Sequence, residues 1–240
     1  MRYVFTILIL VLRLASFGQT LSDIDNRLRL LENRTDFKYD TTGFSALPKI
    51  DFFCDNGNQN PWDYYHVVDL NGDGLNDLIY SGPCKPEGQT GIFLNTAKGF
   101  KKLFNYPGEL VHIDQNKSTK VVHIFRTACC CNFYSEYIAV SIDSLSNVSK
   151  NIISFGAETN VKIGTRLRKQ KVVGVLRTTP EVNDLLKKDP CGKQSIKGNH
   201  VARIQNFKDV IQLSKSGSWW LVLYPLNKER SLIGWMKINN

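Results

Sequence analysis

Residues 69–77 read Asp-Leu-Asn-Gly-Asp-Gly-Leu-Asn-Asp. Side-chain oxygens therefore fall at positions 1, 3, 5 and 9 of this stretch (Asp69, Asn71, Asp73 and Asp77), with the backbone carbonyl of Leu75 between the last two. Calcium takes six to eight oxygen donors at ~2.3–2.6 Å, and alternate residues of a tight turn can aim them inward. Gly72 and Gly74 permit the backbone conformations that such a wrap requires. These residues predict Ca2+ as cofactor, held by Asp69, Asn71, Asp73, Leu75 and Asp77. An EF-hand would also carry a glutamate at position 12, but that residue is Tyr80, and β-branched or aromatic residues flank the loop instead of helices. A polar turn that binds nothing is the competing reading, against which stands the mutual repulsion of clustered carboxylates with no cation between them.

The other residues that could do chemistry are cysteines and histidines. Cys54, Cys84, Cys129, Cys130, Cys131 and Cys191 make an even set, which favours disulfides in an oxidising compartment; six cysteines allow 15 pairings, and a bridge between Cys54 and Cys84, which flank the acidic loop, is the first expectation. The run 129–131 with His112 or His123 is a weaker metal site, because zinc sites usually space their cysteines two or more apart so that the thiolates converge. A Cys-His hydrolase would need a thiolate beside His112, His123 or His200, yet no cysteine opens a recognisable nucleophile motif. A glycosidase needs two carboxylates in a cleft, and the clustered ones are assigned to calcium. No catalytic residue is predicted. An envelope hydrolase and an inhibitor or immunity-type protein are the alternatives to a binding protein.

Arg2 precedes the apolar run 4–12, and Ser16 and Gly18 flank Phe17, as in a signal peptide cleaved after residue 18. The run is far shorter than the ~20 residues that span a bilayer, so no transmembrane segment is expected after cleavage. The expected location is exported, periplasmic or secreted. Charge then divides the chain: residues 19–155 carry 13 Lys and Arg against 16 Asp and Glu, a net of −3, while 156–240 carry 16 against 6, a net of +10. This step suggests a domain boundary near 156. A basic half in an exported chain suits an acidic lipid surface or an anionic polymer better than nucleic acid, which is not expected as a partner; a solvated surface is the plain alternative.

Residues 22–34 should form a short amphipathic helix, with Ser22 as N-cap, Asp23 and Asp25 in the first turn and Ile24, Leu28 and Leu31 on one face, either packed on the domain or tethering it to a partner. Residues 37–63 read as loop, with a possible strand at 50–54. Strands are expected at 64–69, 77–81, 91–95, 110–113, 120–126, 134–142, 172–177, 200–205, 211–213, 219–223 and 232–238. The fold class is mainly β, with one or two helices.

The acidic loop, the strand Asp77-Leu78-Ile79-Tyr80 after it and the segment 92–100 (Ile-Phe-Leu-Asn-Thr-Ala-Lys-Gly-Phe) together resemble the FG-GAP/VCBS repeat family over about 64–104. There such a loop joins two strands of a β-propeller blade, and a segment of pattern LNxGxGxF closes the repeat. A propeller needs at least ~four blades, and only His112-Ile113-Asp114-Gln115-Asn116 echoes a second copy. The resemblance therefore implies a partial, propeller-like β domain holding one calcium, over 37–155, after a helix and linker at 19–36. Residues 172–180 (Val-Val-Gly-Val-Leu-Arg-Thr-Thr-Pro), the pair Trp219-Trp220 after Ser216-Gly217-Ser218, and Gly234-Trp235-Met236 resemble bacterial SH3-like domains over about 170–238. Thr178-Thr179 departs from that family's usual Ser-Gly, and 181–197 is a long insertion. That resemblance implies a small barrel over 156–240, with Trp219 and Trp235 filling its core. Together the two imply a non-catalytic binding or adaptor protein of the cell envelope, with a cell-wall polymer such as peptidoglycan or an envelope protein as partner.

Overall fold

The computed structural model describes residues 21–33, 36–44, 61–83, 87–115, 119–128, 133–188 and 195–238. The expected signal peptide at 1–18, the possible strand at 50–54 and all six cysteines lie outside them. The chain is mainly β. No helix among the described residues is long and apolar enough to cross a membrane.

The helix α1 runs Leu21–Glu32, so Ser22 lies inside its first turn and does not cap it. Leu28 and Leu31, three residues apart on one face, are buried against Phe125, Tyr137 and Phe155. Arg29 pairs with Asp25 one turn back and donates to the carbonyl of Gly164 at 3.2 Å. Of the two roles open to this helix, packing on the domain is the one observed.

Four strands follow as an antiparallel meander: β1 (Tyr65–Val68), β2 (Asp77–Gly82), β3 (Gln89–Thr96) and β4 (Gly99–Pro107). Strand β4 was not expected, because it has no fully buried side chain and Lys101-Lys102 interrupt its alternation. The meander covers one face of the antiparallel strands β5 (Glu109–Asp114), β6 (Lys120–Arg126), β7 (Tyr134–Ile142) and β8 (Val148–Gly156). Strand β8 also escaped the sequence pattern, since its first three residues are exposed and polar Ser149, Lys150 and Asn151 precede its apolar half. Period-two alternation then gives β7 two buried faces: Ile138, Val140 and Ile142 point to the meander, and Tyr137 points to α1.

The remaining strands are β9 (Arg168–Arg177), the short ribbon β10 (Leu186–Lys188) and β11 (Ser195–Lys197), then β12 (His200–Ser216), β13 (Trp219–Pro225) and β14 (Arg230–Lys237). Strand β12 pairs with β9 and β13, β13 also with β14, and β14 with β9, so the pairings of these four strands return on themselves. Where two strands were expected, at 200–205 and 211–213, β12 is continuous, because its polar interval is accommodated as a bulge and not a break. Val172, Ile204, Val210, Val222 and Met236 form a cluster of ring strands alone, while Leu221, Leu223, Ile233 and Trp235 join α1 and β6–β8. Trp235 is only 8% exposed and Trp219 packs beside it half-buried, as side chains filling a core do.

Strand β14 joins the two halves. Its residues 230–233 run parallel to β8, and residues 235–236 pair with β9. The hydrogen-bonded sheet β13-β12-β9-β14-β8-β7-β6-β5 is thus continuous across the charge step at 156. Gly234 sits where the neighbour changes; a Cβ there would lie 2.6 Å from Leu176 Cγ and 2.8 Å from the carbonyl oxygen of Arg177. A second ionic feature ties the layers: buried Glu136 on β7 accepts from Tyr106 (2.8 Å), Arg126 (3.2 Å) and Ser154 (3.3 Å), with Arg230 of β14 at 3.7 Å.

Candidate functional site

The acidic stretch connects β1 to β2, with Val68 and Asp77 as register partners at its base. Its backbone folds around its own side chains. The N–H groups of Gly72 and Gly74 donate to the two carboxylate oxygens of Asp69, at 2.7 and 3.0 Å. Both glycines have positive φ, 76° and 84°, which other residues adopt only with strain, and both face open space. Asn71 Oδ1 accepts from the N–H of Asp73 at 3.1 Å, and Asp73 Oδ1 accepts from the N–H of Leu75 at 2.8 Å. Asn71 Nδ2 donates to Asp73 Oδ2 at 2.9 Å.

Asp77 differs from the others. It is 0% exposed, and its two oxygens accept the N–H groups of Leu70 and Asn95, each at 2.8 Å. Burial pushes its carboxyl up to about 6, against the lowering by those two hydrogen bonds, and the charges of Asp73 and Asp69 push the same way. No cation of the described residues pairs with it. The structure thus brings half-buried Asp69 and Asn71 and exposed Asp73 and Leu75 together in one loop over a buried Asp77.

The donor set is all oxygen, of the hard kind that suits calcium and not zinc. Among the described residues no three Asp, Glu, His or Cys side chains converge on one metal position as they stand. The oxygens of Asp69 are turned to backbone N–H groups and those of Asp73 to the N–H of Leu75 and the Asn71 amide; Asp73 is exposed and Asp69 half-buried. The residues are of the chemical kind that calcium takes, and closing on an ion would require their side chains to turn from their present partners.

One contact to the loop had not been read from the sequence. Ser146, in the turn between β7 and β8, receives a hydrogen bond from Asn71 Nδ2 at 3.2 Å and has φ 63°. The signal was Asp143-Ser-Leu-Ser-Asn147 between two apolar runs: Asp143 Oδ1 accepts the N–H groups of Leu145 and Asn147, at 2.9 and 2.8 Å.

The histidines named as candidate bases are engaged elsewhere. His112 and His123 are opposite each other on β5 and β6, with ring centres 5.5 Å apart, and His123 Nδ1 meets the Tyr137 hydroxyl at 2.6 Å. Burial raises the Tyr137 phenol. His200 Nε2 lies 2.6 Å from Asp184, whose carboxyl is held low first by that hydrogen bond and next by Arg177 at 2.9 Å. Arg177 also donates to the side-chain oxygen of Asn199 and the carbonyl of Asn183, so this cluster pins the 181–185 segment to the ring.

No protein-family model, curated protein or solved structure matches this chain.

Proposed function

We propose that the chain is an exported, non-catalytic binding protein of the cell envelope, in which residues 69–77 hold one structural calcium ion. The observation that carries this reading is Asp77: a fully buried carboxylate with no cationic side chain paired to it among the described residues, under a rim formed by Asp69, Asn71 and Asp73. Carboxylates so placed repel one another, and a divalent cation removes that cost. When bound, calcium supplies charge neutralisation and cross-links the rim. Asp69, Asn71, Asp73 and Asp77 would donate side-chain oxygens and Leu75 its carbonyl.

The place of the loop supports the FG-GAP/VCBS resemblance, since it joins the first two strands of a four-stranded antiparallel meander. The closed pairings of β9, β12, β13 and β14, with Trp235 buried, support the SH3-like resemblance. The basic 156–240 region suits an anionic cell-wall polymer, and an envelope protein is the other partner class. This reading assigns no catalytic residue and expects no nucleic acid.

Thermal melting tests the calcium. The melting temperature should fall in chelator and recover with calcium at up to ~10⁻³ M, the affinity range of extracellular modules, with a shift that follows ligand concentration over Kd. Asp73→Ala should abolish the response. Identical melting with and without calcium sinks the reading. Retention on purified sacculi or from envelope extract identifies the partner class.

A further inference from the structure

On the ring, the pairing of β12 with β9 breaks register between Ile204 and Lys208: Ile204 is opposite Gly174 and Lys208 opposite Val172. Three residues, Gln205, Asn206 and Phe207, therefore stand across from Val173 alone. The bulge thrusts its apolar residue outward, leaving Phe207 72% and Val173 45% exposed. Neither belongs to any core cluster. Exposed cations surround this apolar tip. Lys169 and Lys171 share the face of Val173 by period-two alternation and Arg203 is opposite Val175 on it, whereas Lys208, opposite buried Val172, belongs to the other face. None of the three on this face forms an ion pair among the described residues, although exposed Asp209 is the register partner of Lys171.

We infer that this face docks on an anionic phospholipid surface, with Phe207 and Val173 entering the headgroup–acyl boundary and Lys169, Lys171 and Arg203 meeting the phosphates. The charge complements an anionic surface, and the apolar tip selects lipid over a hydrated polymer. A polyanionic glycan would satisfy the lysines but leave a phenyl ring in water, whereas a bilayer interface accepts both at adjacent depths. Each cation near such a surface contributes about fivefold to binding, so the three together make a useful but reversible attachment. The inference uses no residue of the acidic loop, and it stands or falls apart from the calcium reading.

The test is co-sedimentation of the whole mature chain with vesicles of phosphatidylcholine containing phosphatidylglycerol, and with phosphatidylcholine alone. Binding is expected to the first only, weakening as salt rises. Phe207→Ser should reduce it about tenfold, and Lys169→Glu with Lys171→Glu about twentyfold or more. Val173→Ser serves as a second tip variant should Phe207→Ser fail to fold, with unchanged melting temperature as the check on each. No sedimentation with phosphatidylglycerol vesicles overturns the inference. So does equal binding to both vesicles, or binding that survives loss of the tip. Retention by sacculi and not by vesicles also overturns it, and assigns the cations to a polymer.

Discussion

The backbone N–H of Leu70 donates to Asp77 Oδ2 at 2.8 Å, so the last residue of the acidic loop closes onto its second. The same carboxylate reaches Asn95 on β3 through Oδ1, which makes it the point where loop and meander are joined. Charge at this atom pair should therefore be felt in stability.

In chelator, stability should fall as pH rises through the interval from the ordinary carboxylate value of 3.8 to about 6. The folded value lies above the unfolded one, so the native state holds a proton that the unfolded state has released, and this group's contribution is lost as pH passes the folded value. Calcium needs the ionised form, so its stabilising shift should be larger at about pH 7.5 than at about pH 5. Denaturant melts across that range check both statements. A calcium shift independent of pH, or a pH slope in chelator that persists in Asp77→Asn, excludes Asp77 as the group responsible.

Glu136→Ala should cost about 2 kcal/mol, because it removes the acceptor for Tyr106 and Ser154 and leaves half-buried Arg126 with Glu87 at 3.4 Å as its remaining carboxylate. Urea unfolding measures it. A loss under about 0.5 kcal/mol, the range of ordinary surface substitutions, would mean that the network is surface-like.

Gly234→Ala should destabilise by about 1–3 kcal/mol through overpacking. The Leu176 side chain can move from the new methyl group, but the Arg177 carbonyl 2.8 Å away is backbone held in the β9–β12 ladder. Because β14 bridges β8 and β9, amide exchange should quicken in both neighbours. Protection unchanged in β8 and β9 would show that the strand junction tolerates the extra atom.

The mature protein should begin at Gln19 and contain no alkylatable thiol until reduced, since even numbers of exported cysteines pair. Intact mass with and without reductant reads both points at once. Six thiols modified in the native exported protein would refute the pairing, and an intact Met1 would refute cleavage after residue 18.

What the amino-acid order determined by itself was local. Strands β6 and β7 lie where they were expected, 120–126 and 134–142, because each is a short run rich in β-branched and aromatic residues that is buried on both faces. Helix α1 differs from its expected span by one or two residues at each end. Asp69, Asn71, Asp73 and Asp77 come together because nine consecutive residues containing two glycines can wrap only a short distance. Strands β4 and β8 were illegible for different reasons: β4 has no fully buried side chain and is held by hydrogen bonds to β3, while β8 is apolar and buried only in its second half, after exposed polar residues. Tertiary structure alone decided the rest. The burial of Asp77 depends on Asn95, eighteen residues away, and on the meander closing over it; the contact of Ser146 to Asn71 spans 75 residues. The parallel pairing of β14 with β8, which carries one sheet across the charge step, likewise has no local signature, because backbone hydrogen bonds to a distant strand make no demand on side-chain type.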